Sequence, residues 1–98
     1  MAFEWDERKR LANLAKHGID FVAARGVFDG PTLEFPDTRR VYGEERAGAY
    51  GSSCHGVLFV VYTWRGPARR MISARKAGTH ERELYCAAIA QNGGGYEG

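Results

Sequence analysis

The sequence has little of several features that mark familiar classes of small protein. It has only two cysteines, Cys54 and Cys86, too few for the disulfide framework of a small secreted domain. No apolar run approaches the roughly 20 residues of a membrane-spanning helix. The first residues also lack a hydrophobic targeting segment. We therefore expect a cytoplasmic protein that does not contact a membrane.

Motifs for several common chemistries are also missing. There is no Walker-type or dinucleotide-binding glycine loop and no nucleophile elbow. Cys54 and His55 are too small a set for a zinc site, which usually needs a full group of ligands at recognisable spacing. We therefore expect no metal ion and no cofactor.

The patterning predicts one α+β domain with N-terminal helices, an antiparallel β-sheet meander and a C-terminal helix. We place the domain at residues 1–90, followed by a glycine-rich tail at residues 91–98. The first helix would begin after Asp6 and end at Gly18, with Leu11, Leu14 and Ala15 as its apolar stripe. The other predicted elements are a helix capped by Asp20, strands from "TLEF", "ERAGAYGSS", "GVLFVVYTW" and "RRMISARKA", and a last helix capped by Thr79.

Charge is unevenly spread along the chain. The net charge is only +2, yet the segment from Arg65 to Lys76 holds five cations and no acid. A solvated basic face is the simpler interpretation. The functional interpretation is a local anionic partner such as a phosphate backbone.

The strand predicted from "RRMISARKA" must build the core and also present cations. Side chains alternate across a strand, which predicts one face with Met71, Ser73 and Arg75 and another with Arg70, Ile72, Ala74 and Lys76. We expect the second face to pack under the helices. Arg75 would then emerge beside the small Ser73, where its guanidinium could grip a phosphate through two parallel N–H bonds.

Two further clusters admit both a structural and a functional interpretation. His80 and Glu81 fall in the first turn of the last helix, whose positive dipole end favours anions, but Glu81 could simply pair with Arg75. Lys16 and His17 end the first helix. There they complement its dipole, and His17 could also move a proton near neutral pH.

A third cluster, "RRVYGEER", alternates Arg39, Arg40 and Arg46 with acids, as a solvated hairpin would. The same arginines could equally rim a basic groove.

Taken in order, the segments resemble one known family. "FEWD", "KHGIDF", "VFD", "GEER", "VVYTWR", "ISARKA" and "HERELY" look like the BrnT ribonuclease toxins of type II toxin–antitoxin modules, over about residues 3–86. "ISARKA" followed by "ERELY" is the most specific part. The segment "RAGAYG" departs from the pattern, since the family commonly has a bulkier strand there.

The resemblance implies a RelE-like α+β fold and a metal-independent endoribonuclease that cleaves RNA and slows translation. It also implies a small cognate antitoxin with a ribbon-helix-helix region. The two chains would form a hetero-oligomer that binds promoter DNA through the antitoxin. A non-catalytic nucleic-acid-binding module, or a regulatory partner-binding module, is the alternative that the residues leave open.

Roles for individual residues follow from the resemblance and from the needs of metal-free RNA cleavage. Lys16, His17, Arg46, Arg75, Glu81 and Tyr85 match positions of the family motifs. Arg75 is the predicted clamp for the transition-state charge, His17 the predicted proton carrier, and Glu81 a base or an orienter of Arg75. The predicted phosphate contacts are Lys16, Arg46, Arg70, Lys76 and His80.

Overall fold

A computed structural model describes residues 2–38 and 43–97 of the 98, and their side chains as far as residue 91. The strands are β1 (Ala2–Glu4), β2 (Thr32–Pro36), β3 (Ala47–Ser53), β4 (Gly56–Arg65) and β5 (Ala68–Lys76). The helices are α1 (Glu7–His17), α2 (Phe21–Ala24), continued by a 3-10 helix over Arg25–Asp29, and α3 (Thr79–Glu97). Among the described residues, no helix is both long enough and apolar enough to cross a membrane.

The α+β class is confirmed, but the sheet is mixed rather than purely antiparallel. Its strand order is β1-β5-β4-β3-β2. The four later strands form the expected antiparallel meander. The strand that was not predicted is β1, which precedes the helices and pairs in parallel with β5, Glu4 opposite Arg70. Three residues are too short a run for alternation to identify a strand.

The caps predicted at Asp6, Gly18 and Asp20 are confirmed. The Asp6 carboxylate accepts hydrogen bonds from the backbone N–H groups of Arg8 and Lys9, which caps α1. Gly18 ends that helix in the left-handed region, with φ 73°. The Asp20 carboxylate accepts from Val22 N–H at 2.9 Å and caps α2.

The core lies between one face of the sheet and the segment Ile19–Phe28. Its fully buried members include Ile19, Phe21, Leu58 and Met71. The 3-10 helix packs so closely on β3 that a Cβ at Gly51 would lie 2.7 Å from Val27 Cβ. We call this the covered face of the sheet and the other the open face.

The apolar stripe predicted on α1 does not pack in the core. Leu11, Leu14 and Ala15 are all exposed, and the buried residue of α1 is Asn13, at 7% exposure. The Asn13 amide accepts from Ala74 N–H (3.1 Å) and donates to Ala74 C=O (2.8 Å). β1 pairs only with the first residues of β5, so the backbone N–H and C=O groups further along that edge need other hydrogen-bond partners. The Asn13 amide supplies them at Ala74.

The predicted division of β5 into two faces is wrong before Ser73. Val61 pairs with Ser73 but Tyr62 pairs with Met71, so Ile72 is an extra residue in a β-bulge. The bulge places Met71 in the core together with Ala74. By the same shift, Arg70 lies on the open face with Arg75, instead of on the covered face where strict alternation had put it.

Candidate functional site

Arg75 ends a row of side chains that crosses the open face. Tyr50 of β3 pairs with Phe59 of β4, and Phe59 pairs with Arg75 of β5. Directly opposed residues of antiparallel strands place their side chains in contact. The Arg75 guanidinium carbon accordingly lies 4.7 Å from the centroid of the Phe59 ring, and the Tyr50 and Phe59 centroids are 4.9 Å apart.

The first turn of α3 closes over this row and brings Glu81 to Arg75. Arg75 donates from Nη1 to Glu81 Oε1 (2.8 Å) and from Nη2 to Glu81 Oε2 (2.9 Å). The Tyr50 hydroxyl donates to Glu81 Oε2 at 2.8 Å. Arg75 and Glu81, both predicted site residues, are therefore in contact. The two parallel N–H bonds of the guanidinium, which were expected to bind a phosphate, are made to Glu81.

Glu81 also fixes the start of its own helix. The Gly78 N–H donates to Glu81 Oε1 at 2.8 Å, and the Gly78 carbonyl accepts from Arg82 N–H. Gly78 therefore occupies the cap position that was predicted for Thr79, and Glu81 reaches back to it as in a capping box. The hydrogen bonds from Arg75, helped by those from Gly78 and Tyr50, lower the pKa of Glu81 to about 2.

The aromatic part of the row continues onto β2. The Phe35 ring stacks on Phe59 at 6.0 Å between centroids and lies 5.7 Å from the Tyr50 ring. Gly48 makes this possible, since a Cβ there would lie 2.8 Å from a Phe59 ring carbon and 3.0 Å from one of Phe35. The small residues of "RAGAYG" thus leave room for bulky residues from neighbouring strands.

Arg69 and Arg70 have structural partners. The Arg69 guanidinium lies on the covered face near the rings of Phe28 (4.1 Å) and Trp64 (4.7 Å), and 3.9 Å from Glu34. Arg70 Nη1 forms an ion pair with Glu4 Oε2 at 2.7 Å. A phosphate contact at Arg70 would have to compete with that carboxylate.

Lys16 and His17 lie in the last turn of α1. The helix starts beyond Glu4, which pairs with Arg70, and passes Ala74 at Asn13, so it runs in the direction of β5. His17 lies one turn, about 6 Å, beyond Asn13. The helix therefore ends toward the end of β5 that carries Arg75. Among the described residues, no hydrogen bond joins His17 to the Arg75–Glu81 pair.

The other predicted phosphate contacts lie in different elements of the fold. Lys76 and His80 are exposed next to Arg75 and Glu81 in the chain. Arg46, just before β3, donates from Nε to Glu44 at 3.2 Å. It precedes Tyr50 by four residues, about 13 Å of strand. Arg39 and Arg40 lie outside the described residues.

Sequence reasoning missed Tyr50 and Phe59. Each was interpreted only as strand or core, because the residues that meet Arg75 come from other strands. Their alternation with the core residues Ala49, Leu58 and Val60 was the available signal, but only the register shows which of them oppose Arg75. Tyr85, which had matched the family motif, donates to the Pro31 carbonyl at 2.8 Å and ties α3 to the start of β2.

Comparison with known proteins gives two positive results. A family model described as "Ribonuclease toxin, BrnT, of type II toxin-antitoxin system" matches residues 5–81. The 1.1 Å crystal structure of the Brucella abortus ribonuclease toxin BrnT is similar, with 32% identity and a TM-score of 0.65, over 81% of this chain and 99% of that one. A search of curated proteins finds no match. The chain belongs to the BrnT family of ribonuclease toxins of type II toxin–antitoxin systems.

Proposed function

We propose that this toxin is a metal-independent endoribonuclease, RelE-like in fold, that acts in the cytoplasm and slows translation by cutting RNA. Family membership implies an RNA substrate and an antitoxin partner. The observation that carries the proposal is the Arg75 guanidinium, held by Glu81 over Phe59 on the open face. A fixed cation of this kind is what phosphoryl chemistry needs where charge develops.

Cleavage would proceed by attack of the ribose 2′-hydroxyl, which loses its proton, on the adjacent phosphorus. The P–O5′ bond would break, leaving a 2′,3′-cyclic phosphate on one fragment and a protonated 5′-hydroxyl on the other. Arg75 would stabilise the negative charge of the phosphorane. Its side chain is 36% exposed, so a phosphate can approach from the solvent side while Glu81 keeps the guanidinium in place. Prior orientation reduces the reorganisation needed at the moment of reaction.

Of the two roles open to Glu81, its environment supports that of orienter. A carboxylate whose pKa is about 2 stays ionised at neutral pH and has little affinity for a proton. General bases work best when their pKa lies near the operating pH. Glu81 would therefore position Arg75 rather than accept the proton of the 2′-hydroxyl.

His17 is the proposed proton carrier, since an imidazole ring can both accept and donate a proton. RNA would then pass the end of β5, with Arg75 on the open face and His17 at the end of α1. The proposed phosphate contacts along this path are Lys16, Lys76 and His80. Arg46 and Arg70 would contact phosphates further along the sheet.

The proposed partner is a cognate ribbon-helix-helix antitoxin. The two chains would form a hetero-oligomer that binds promoter DNA through the antitoxin. Ribbon-helix-helix DNA binding uses a dimer, so we expect at least two copies of each chain.

One observation favours a second candidate function. Because the fork of Arg75 is engaged by Glu81, the pair also fits a non-catalytic nucleic-acid-binding or regulatory partner-binding module, in which Arg75 holds α3 on the sheet. Cleavage itself separates the two functions.

The test is incubation of purified, antitoxin-free protein with single-stranded RNA in excess EDTA. We expect fragments that end in a 2′,3′-cyclic phosphate or a 3′-phosphate. Intact RNA after incubation with a preparation that melts cooperatively would support the second candidate, and a gel shift with the same RNA would then show whether the protein binds it.

A further inference from the structure

The buried side chain of Asn13 joins helix α1 to the strand that carries Arg75. Asn13 is 7% exposed. Its amide oxygen accepts a hydrogen bond from the Ala74 N–H at 3.1 Å, and its amide nitrogen donates to the Ala74 carbonyl at 2.8 Å. The side chain therefore pairs with Ala74 as the backbone of a neighbouring strand would, at the residue directly before Arg75.

The same amide nitrogen also holds the segment that follows the helix. It donates its second hydrogen to the Ile19 carbonyl at 2.9 Å. Ile19 is fully buried and comes two residues after His17, beyond the left-handed turn at Gly18. The last turn of α1, which carries His17, is therefore closed by a hydrogen bond between Asn13 and Ile19.

The three hydrogen bonds together require an amide at position 13. A carboxamide offers one acceptor and two donors, and all of them are used here. A carboxylate would keep the acceptor but would face two carbonyl oxygens with no hydrogen to donate. Because hydrogen bonds are directional, the amide fixes where α1 lies along β5 as well as holding it there.

We propose that Asn13 is a positioning residue for RNA cleavage, which sets the place of His17 relative to Arg75. The inference rests on the proposed function, since it takes His17 as the proton carrier and Arg75 as the clamp. One amide connects the strand of the clamp with the turn of the proton carrier. A displacement of about 1 Å in an active site can lower a rate by about a hundredfold, so the rate depends on such a connection.

A double-mutant cycle separates positioning from general stabilisation of the fold. Asn13→Ala should lower kcat for RNA cleavage by about tenfold to a hundredfold and change KM by less than about threefold. In a His17→Ala background the same substitution should lower kcat by less than about twofold, because the group that Asn13 positions is already gone. Losses of equal size in the two backgrounds would overturn the inference.

Two further variants control for damage to the fold. Asn13→Asp keeps the size of the side chain and the acceptor for the Ala74 N–H, and it should still lower kcat by about tenfold or more. Arg10→Met is the matched control, because Arg10 lies one turn earlier on α1 and forms a 2.9 Å ion pair with Asp20, away from β5. We expect its kcat to stay within about threefold of the wild-type value. A loss as large as that of Asn13→Ala would show that any loosening of α1 slows cleavage, and would overturn the inference.

Hydrogen exchange in the wild-type protein tests the connection without a substitution. The Ala74 amide hydrogen should exchange slowly, because it is bonded to a buried side chain. Exchange at the rate of an unprotected amide would overturn the inference. If the wild-type protein cuts no RNA in EDTA, the proposed function fails and the inference fails with it. Cleavage with equal losses in the two backgrounds removes the inference alone.

Discussion

Arg75 on the open face and the cations on the exposed side of α1 are held in different ways. Arg75 is half-buried against Phe59 and is paired with Glu81, as a cation withdrawn from water requires. Arg8 and Lys9 are exposed, and among the described residues neither side chain forms an ion pair. Charge that the fold already neutralises is held in a fixed geometry, which suits chemistry. Charge that the fold leaves unpaired is available for a partner.

The largest expected effect on RNA cleavage comes from removing Arg75, the cation paired with Glu81. Arg75→Ala should lower the rate of RNA cleavage by about a hundredfold or more, the usual cost of losing a group that stabilises transition-state charge. Arg65→Ala is the control, because Arg65 is exposed and its ion pair with Glu44 is long, at 3.7 Å. A thermal melt accompanies both variants, and loss of the cooperative transition in Arg75→Ala would show that the residue is structural.

The packing of the Tyr50, Phe59 and Phe35 rings can be disrupted without changing a charged residue. Gly48→Val would push branched carbons into the rings of Phe35 and Phe59, which already lie within about 3 Å of where a Cβ would be. We expect a loss of about 1–3 kcal/mol in the free energy of unfolding, as in other overpacked sites. Denaturant titration measures this, and Gly30→Val is the control, since nothing lies within 4 Å of a Cβ there. Equal stabilities would mean that the row is not closely packed.

The Arg75–Glu81 pair should make stability depend on pH. The pKa of Glu81 is about 2 in the folded chain against an ordinary 4.5, so its contribution is fully present above about pH 4.5 and is lost as pH falls toward 2. Glu81→Gln should cost on the order of 1–2 kcal/mol at pH 7, less than the full shift implies because both side chains are partly solvated. The difference between the two proteins should shrink as pH falls through this window. A difference that is the same at pH 7 and pH 3 would contradict the pairing.

The smallest expected effect on stability comes from removing the Tyr50 hydroxyl. Tyr50→Phe keeps the ring on Phe59 and removes one hydrogen bond to Glu81, which should cost about 1 kcal/mol in the free energy of unfolding. Cleavage should fall less than in Arg75→Ala, since Arg75 keeps both bonds to Glu81. A loss of activity as large as that of Arg75→Ala would make Tyr50 a direct participant in the reaction.

The sequence predicted the parts of the fold that are local. The caps at Asp6 and Asp20 and the left-handed stop at Gly18 depend on residues a few positions apart. The long strand β4 was predicted from its β-branched and aromatic run. The pairing of Arg75 with Glu81 was one of the two interpretations considered, and the two residues are six positions apart.

What the sequence did not predict depends on distant partners. Strand β1 exists because β5, more than sixty residues later, offers it an edge. The extra residue Ile72 turned Arg70 to the open face, and no local signal marks the bulge. Asn13 faces inward, where its amide is hydrogen-bonded to the backbone of Ala74 at the edge of β5, and the apolar stripe with Leu11 lies in solvent. In each case a backbone partner far along the chain outweighed the local pattern.

The most direct test of the difference between the two surfaces is the rate of RNA cleavage in EDTA by two charge variants, without antitoxin. Arg75→Lys keeps the charge but not the planar guanidinium that binds Glu81 through two hydrogen bonds, and Arg8→Ala with Lys9→Ala removes two exposed charges from α1. We predict a loss of about a hundredfold for the first and less than about threefold for the second. A first variant that cuts as fast as the wild-type protein, or a second that loses most of its activity, would contradict the assignment of the active site to Arg75.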